Sequence, residues 1–287
     1  MKKILVAIDF SDCSINALKY SVRMAKTLDA SVTMIYVNKP GSAGSVYPDT
    51  QAQHLVEAKS RFENLMESYS SELNGRIDYT IREGKIYKEI AAQAKYMDSY
   101  LVVAGTHGVS GFEEFWIGSN AFRLVSTVQC PIITIREMFD VNRDIKKILL
   151  PIDHSIVTRQ KVTLAGEMAL LFNAEIVMLG IYSSGFEEFR LKVRQFIGQI
   201  TDHYNAFKVP FKTDIVENKD ICEACTEHAK LIDADLIVAM KDMDSSGLGY
   251  YLGNDSQKLI NHSPVPVLSI DSKSTFKQTS SFSGSGG

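Results

Sequence analysis

Short apolar runs alternate along this chain with longer segments whose apolar residues recur at helical spacing. The first run, ILVAI at 4–8, ends at Asp9, and Ser11 or Asp12 can cap the helix that follows. The apolar residues of that helix fall on one face: Leu18, Val22, Ala25 and Leu28. The first unit that the pattern predicts is therefore a strand leading into an amphipathic helix.

The same alternation continues through the first half of the chain. It predicts further strands at 31–37, 77–83, 100–105 and 131–136, and helices at 51–73, 86–98 and 120–126. Several strands are continuous runs of valine, isoleucine and leucine, which is typical of parallel strands covered on both faces. The pattern predicts an α/β fold: an open, parallel, five-stranded sheet with helices on both faces.

An internal repeat indicates two such units in tandem. KKILVAIDFS (2–11) is identical to KKILLPIDHS (146–155) at seven of ten positions, an offset of 144 residues. The offset falls to 135 where LVVA (101–104) matches LIVA (236–239), so the second copy is nine residues shorter. We expect the missing residues in the Gly, Ser and Pro-rich segment 38–50, which the second copy replaces with YSSGF.

The repeat predicts the domain boundaries. The first domain should span 1–138 and the second 145–271. The remaining segment, 272–287, is rich in serine, glycine and threonine, a composition that predicts a disordered tail.

Composition and charge narrow the class of protein. The chain has 287 residues, of which 45% are apolar and 23% are charged, a composition typical of a soluble globular protein. A net charge of -3 gives no electrostatic reason to expect nucleic acid or an anionic membrane as a partner. The first apolar run is too short for a signal peptide or a membrane span, and no later run is long enough. Four cysteines without a disulfide framework predict a reducing cytoplasm as the location.

A glycine-rich segment after the fourth strand is the main candidate for chemistry. Gly105, Gly108 and Gly118 are followed by Ser119 and Asn120, where a helix begins. Glycine lets backbone amides approach an anion closely, and the amino end of a helix favours phosphate. The alternative is that these are turn glycines of a surface loop. Because ligands bind beyond the carboxyl ends of parallel strands, this loop and the Asp9 turn are candidates for one site.

This glycine spacing, with its trailing serine and the aspartate after the first strand, resembles the ATP-binding type of the universal stress protein family, here as a tandem two-domain member. The resemblance is strong over 1–136 and looser over 145–271. It implies a Rossmann-like fold of the adenine nucleotide alpha hydrolase type, ATP bound at the strand ends, domains paired through the last strand, and a role in stress survival. The resemblance does not decide whether two such chains form a homodimer.

The resemblance also implies which residues hold the nucleotide. Asp9 lies near the adenosine, Ala7 stands where many members have proline, and Val37 offers backbone to the adenine. The ribose and phosphate loop comprises Ala104, Gly105, His107 and Gly108, and the helix start that holds phosphate comprises Gly118, Ser119 and Asn120. Two alternatives stay open: His107 as a solvated loop histidine, and Asp9 as a cap of the following helix. Mg²⁺ is expected with ATP, although the sequence shows no dedicated carboxylate cage.

The second copy departs from this pattern. It keeps Pro151 and Asp153, but Met240 and Met243 stand where Gly105 and Gly108 are. A methionine side chain would fill the space that a phosphate needs. Three acids would add negative charge beside the ligand: Asp242, Asp244 and Asp255. We therefore expect no ATP in the second domain.

Cys222, Cys225 and His228 form the remaining cluster of potential metal ligands. His228 is six residues from Cys222, about 240° round a helix, and no second ligand pair follows at zinc-site spacing. The sequence favours core cysteines, with a zinc or redox site as the alternative.

These features predict a nucleotide-responsive binding module rather than an enzyme. No Walker motif is present, and no lysine or arginine lies in the glycine loop, so no catalytic residue is assigned. A slow ATPase at the same site and a scaffold that binds no nucleotide are the alternatives.

Overall fold

A computed structural model describes residues 1–38, 48–106, 119–241 and 254–271. In the first half the strands are β1 (Lys2–Ala7), β2 (Ala30–Asn38), β3 (Ile77–Glu83), β4 (Leu101–Gly105) and β5 (Ile132–Ile135). The helices are α1 (Asp12–Leu28), α2 (Pro48–Ser70), α3 (Ile86–Tyr96) and α4 (Ser119–Thr127). The predicted tail, 272–287, lies outside the described residues.

The second half repeats this order. Its strands are β6 (Lys147–Ile152), β7 (Glu175–Tyr182), β8 (Phe211–Glu217), β9 (Leu236–Met240) and β10 (Val267–Ile270). Its helices are a 3₁₀ helix (Ile156–Lys161), α5 (Val162–Phe172), α6 (Glu187–Phe207), α7 (Ile221–Leu231) and α8 (Asn254–His262). The 3₁₀ helix stands where α1 has its first α-helical turns.

The strands of both halves form one continuous sheet in the order β3-β2-β1-β4-β5-β10-β9-β6-β7-β8. Pairing within each half is parallel, as the buried apolar runs predict. The two halves meet through an antiparallel pair, in which Val267 of β10 lies opposite Thr134 of β5. Each of these strands would otherwise leave backbone groups unpaired at a sheet edge.

The core lies on both faces of this sheet, because the strands carry apolar residues on both sides. All four residues of the predicted apolar face of α1 are buried. The helix ends at Asp29 with a left-handed φ of 48°, and α5 ends at Asn173 with a φ of 50°. These residues are 144 apart, so the repeat extends to the helix ends.

The shortening of the second copy is more widely distributed than the sequence predicts. Nine residues (39–47) separate β2 from α2, whereas four (183–186) separate β7 from α6. Helix α2 has 23 residues and α6 has 21. Six residues (71–76) then lead to β3, but only three (208–210) lead to β8. The expected loop therefore loses five residues, and the helix and the following turn lose five more, of which one is regained between β8 and α7.

Two buried polar contacts cross the boundary between the halves. Lys2 Nζ lies 2.9 Å from Glu167 Oε1, in an ion pair whose carboxylate is buried. Lys241, at the end of β9, donates from Nζ to the carbonyl oxygens of Val128 at 2.7 Å and Cys130 at 3.3 Å. Among the described residues, no helix has the length and apolar character needed to cross a membrane.

Candidate functional site

The order of strands creates a crevice at one edge of the first half. Strands β2 and β3 lie on one side of β1, and β4 and β5 lie on the other, so the strand order reverses between β1 and β4. In sheets of this type, ligands bind at the carboxyl ends of the strands where the order reverses. Five predicted site residues lie at or next to these strand ends: Ala7, Asp9, Val37, Ala104 and Gly105. Val37 and Ala104 are buried, while Asp9 is half-buried.

Asp9 shapes the turn from β1 into α1. Its Oδ1 accepts hydrogen bonds from the Ser11 backbone N at 3.0 Å and from Ser11 Oγ at 2.6 Å. Ser11 is the N-cap of α1 and accepts from Ser14 N at 3.2 Å, so of the two predicted caps Ser11 is the one found. Asp9 therefore holds the capping residue in place, and its second carboxylate oxygen is the part that a ligand could use.

Sequence reasoning missed Ser14. The backbone N of Asp9 donates to Ser14 Oγ at 3.3 Å, and Ser14 Oγ donates to the Ser11 carbonyl at 2.9 Å. In the second half Thr158 takes the same place, with the Asp153 backbone N donating to its Oγ1 at 3.4 Å. A hydroxyl five residues after each aspartate was the signal in the sequence.

Phe10 has an unusual backbone conformation beside the site. Its φ is 64°, a left-handed value that is uncommon for a bulky residue. Its ring packs 4.9 Å from that of Phe62 and 5.5 Å from that of Tyr36, centroid to centroid. The guanidinium of Arg61 lies 5.4 Å from its centroid. This packing holds the strained residue in place. Arg61, which sequence reasoning did not identify, is paired with Glu57 at 2.6 Å.

Gly105 packs against the start of α1. The Cys13 thiol, which donates to the Ile135 carbonyl at 3.4 Å, lies directly over the glycine. The absence of a side chain at Gly105 therefore lets strand and helix approach each other, apart from any role toward a ligand.

The rest of the predicted loop falls partly outside the described residues. His107, Gly108 and Gly118 lie there, and so do the second-half Met243, Asp242 and Asp244. Helix α4 begins at Ser119, within one residue of the predicted start, and Asn120 in its first turn is half-buried. The amino end of α4 therefore follows the glycine loop, as predicted.

The second half keeps the aspartate turn but fills the edge. Asp153 Oδ1 accepts from Ser155 N at 2.8 Å, as Asp9 does from Ser11. Met240 is buried there, and so is Lys161, whose Nζ lies 3.3 Å from Thr158 Oγ1. The cavity lined by these residues measures about 50 Å³. Pockets for drug-sized ligands measure roughly 300–1,000 Å³, so the space between the described residues at this edge is much smaller.

The cysteine cluster belongs to the core. Cys222 and Cys225 are buried on α7, as the core interpretation predicts. His228 is buried too, and its Nε2 lies 2.9 Å from Asp214 Oδ2 on β8. Within the described residues, no group of three or more His, Cys, Asp or Glu side chains could hold a metal.

Comparison with known proteins identifies a family. Its model, described as the Universal stress protein family, matches residues 1–136 and 144–270. Universal stress protein MJ0531 of Methanocaldococcus jannaschii is 29% identical over 140 residues, which are 47% of this chain and 82% of that protein. Universal stress protein YxiE of Bacillus subtilis is 28% identical over 146 residues, which are 47% of this chain and 98% of that protein.

A solved structure shares the fold across both halves of the chain. A universal stress protein from Archaeoglobus fulgidus aligns with a TM-score of 0.73 at 18% identity, covering 94% of this chain and 98% of that one. Since the family model matches both halves of the sequence, the chain belongs to the universal stress protein family.

Proposed function

We propose that the first half binds ATP at the crevice between β1 and β4, and that the protein acts as a nucleotide-responsive binding module in the stress response. The observation that carries the proposal is that Asp9 and Gly105 lie at or just after the carboxyl ends of the neighbouring strands β1 and β4, and that α4 begins beyond the segment that follows β4. A carboxylate can accept hydrogen bonds from ribose or adenine, and backbone amides at a helix start can bind phosphate.

Each proposed residue would contribute a simple interaction. Val37 would offer backbone groups to the adenine from the end of β2, and Asp9 would accept a hydrogen bond from the adenosine. Ala7 and Ala104 leave room at the strand ends. Beyond Gly105, we assign the phosphates to His107, Gly108, Gly118, Ser119 and Asn120. Mg²⁺ would bind mainly through the phosphates, since it keeps several waters and needs only one or two protein carboxylates.

The second half has a different role in this proposal. Met240 and Lys161 occupy its corresponding edge, and the small cavity there supports a domain that binds no nucleotide. It would act as the structural partner of the first domain within the chain, the two domains being 1–138 and 145–271. None of the four cysteines, all within the described residues, forms a disulfide. That is consistent with the reducing cytoplasm that we propose as the location.

Some family members bind nucleotides. One solved universal stress protein is in complex with cAMP. Its likeness to this chain is weak, with a TM-score of 0.38, so the proposal rests on the residues of this chain.

A pair of matched variants tests the proposal. Asp9→Asn removes the charge at the proposed site while keeping an oxygen that can accept from Ser11, and Asp153→Asn makes the same change in the second half. We expect Asp9→Asn to weaken binding of a fluorescent ATP analogue about tenfold, because a hydrogen bond to a charged group is lost. Asp153→Asn should bind as the wild type does.

A turnover assay separates the module from the enzyme. ADP formation in proportion to protein, lost in Gly108→Val, would favour a slow ATPase. Binding without turnover would favour the module. If the analogue does not bind, or if the two aspartate variants weaken it equally, the proposed site is wrong.

A further inference from the structure

A cavity of about 330 Å³ lies at the boundary between the two halves. Its walls are α1, the segment 143–146 that precedes β6, and the end of α5. Since Lys146 leads into β6 and α1 ends where β2 begins, the cavity lies toward the amino edge of the sheet, opposite the candidate nucleotide site. Its volume is within the lower part of the range of small-molecule pockets, roughly 300–1,000 Å³.

The cavity wall includes a buried hydroxyl without a partner. The side chain of Tyr20 is 2% exposed, and its hydroxyl has no hydrogen-bond partner among the described residues. Its ring packs edge-on against Phe139, with 6.2 Å between centroids. Burial, and then the charge of Asp235, raise the pKa of Tyr20 far above its ordinary value, so the hydroxyl stays protonated and can donate. An acceptor from outside the chain would satisfy this donor.

The internal repeat allows the cavity to be compared with the equivalent region around Glu167. On the related side of the molecule, Glu167 of α5 accepts from Lys2 Nζ at 2.9 Å and from the Tyr100 hydroxyl at 3.3 Å. A carboxylate of the chain itself therefore joins α5 to the strand starts of the first half.

The cavity side has no carboxylate at the position of Glu167, and its own buried acid, Asp235, corresponds to Tyr100 at the offset of 135 and is held by Arg143. At the offset of 144, Arg23 corresponds to Glu167 and Lys146 corresponds to Lys2, so two cations stand where the other side has an acid and a base. Their counter-ion is Asp144, which lies 2.8 Å from Arg23 and 3.8 Å from Lys146 and is 66% exposed. One solvent-exposed acid thus serves two cations.

The other charges near the cavity balance when Lys147 is counted, because Arg143 and Lys147 face two acids, Asp233 and Asp235. Arg143 donates to Asp235 through Nε at 3.0 Å and Nη2 at 2.6 Å, and to Asp233 through Nη1 at 2.9 Å. Asp235 also accepts from the backbone N of Lys146 at 2.9 Å. Arg23 and Lys146, with Asp144 as their shared counter-ion, therefore leave an excess of one positive charge at the cavity. The rest of the wall has the polar residues Thr27 and Asn173 and four apolar ones: Met24, Ile145, Leu171 and Phe172.

We propose that this cavity binds a small organic anion with an apolar body. An anionic oxygen of the ligand accepts from the Tyr20 hydroxyl and faces Arg23 and Lys146, taking the part that the Glu167 carboxylate plays on the other side. The apolar body lies against Met24 and the end of α5. The site is separate from the proposed ATP site, and neither proposal depends on the other.

Methionine methyl NMR with a matched pair of probes tests this site. Met24 lines the cavity, and Met168, its counterpart at the offset of 144, is equally buried and does not line it. We expect phenylacetate to shift the Met24 methyl resonance in a saturable way and to leave that of Met168 in place. The neutral isostere 2-phenylacetamide should bind about tenfold more weakly, because it lacks the charge-assisted contacts.

Three variants locate the binding. Arg23→Gln and Tyr20→Phe should each raise the dissociation constant of phenylacetate about fivefold, as expected for one lost hydrogen bond. Lys19→Gln removes a positive charge from an exposed position of the same helix and should leave it unchanged. An unmoved Met24 methyl, equal affinity for both probes, or equal weakening by Lys19→Gln and Arg23→Gln would each overturn the proposal.

Discussion

Gly105, at the end of β4, lies so close to Cys13, at the start of α1, that a side chain at position 105 would overlap it. An ideal Cβ on Gly105 would stand 2.7 Å from Cys13 Sγ and 3.1 Å from the Cys13 carbonyl carbon. In the second half Met240 occupies the equivalent position, and the helix start is a 3₁₀ helix. The two halves thus differ at both elements that form the edge of the candidate site.

This contact predicts that Gly105→Ala destabilises the protein. The new methyl group must displace a thiol and approach a backbone atom, and such overpacking costs about 1–3 kcal/mol. Urea unfolding of wild type and variant measures the loss. Gly198→Ala on α6 is the control, because an ideal Cβ there meets no atom within 4 Å; it should stabilise by about 0.5–1 kcal/mol. Equal stability of Gly105→Ala and wild type would contradict the close contact.

The aspartate turns predict different effects for two related serines. Ser11 caps α1 through its side chain, so Ser11→Ala should lower the free energy of unfolding by about 1 kcal/mol. Ser155 precedes the 3₁₀ helix and makes no capping side-chain hydrogen bond within the described part of the chain. Ser155→Ala should therefore cost much less in the same unfolding experiment. A larger loss for Ser155→Ala than for Ser11→Ala would contradict a capping role for Ser11 alone.

The contact between Lys2 and Glu167 predicts a large effect of removing the acid. Glu167→Ala leaves a partly buried ammonium group and the Tyr100 hydroxyl without this acceptor, and breaking a buried ion pair costs about 3–5 kcal/mol. The counterpart Arg23→Ala breaks only an exposed pair with Asp144, worth about 0–1 kcal/mol. Thermal unfolding of both variants provides the comparison, and similar midpoints would argue against the buried contact.

Lys241 predicts a specific pH dependence of stability. Burial lowers the pKa of Lys241 from its ordinary value of 10.5 to about 8, although Cys130 and Asp271 act in the opposite direction. The unfolded chain therefore binds more protons than the folded chain between pH 8 and 10.5. The burial cost is fully present below pH 8 and disappears as pH rises through this window, so stability from this group increases.

Comparison with Lys241→Met isolates this contribution. Burial raises the pKa of the Cys130 thiol from 9.0 to about 11, which lowers stability as pH rises through that range, so both proteins should carry Cys130→Ala. The difference in unfolding free energy between the lysine and methionine forms should then rise by about 2 kcal/mol from pH 7.5 to 10. If urea unfolding shows a difference that stays constant with pH, the buried position of Lys241 is wrong.

Much of the fold could be predicted because each element has its own pattern. The strand at 77–83 was predicted to the residue, and the buried face of α1 follows from its apolar spacing. The pairing of Thr134 with Val267 joins residues far apart in the chain, so local periodicity carries no information about it.

The candidate site was predictable only in part. Asp9 and Gly105 were identified from strand ends and glycine spacing, but the left-handed Phe10 depends on how its ring packs against Phe62 from a distant helix. The cavity beside Tyr20 arises where the two halves meet. A sequence pattern within one half of the chain cannot predict a cavity that lies between the two halves.

The measurement that tests the account most directly is isothermal titration of the full chain with Mg-ATP, read as nucleotides bound per chain. We predict one per chain, with binding lost in Gly108→Val and retained in Asp153→Asn. Two per chain would contradict the blocked second edge at Met240 and Lys161. No binding by the wild type would contradict the proposed ATP site and favour a scaffold that binds no nucleotide.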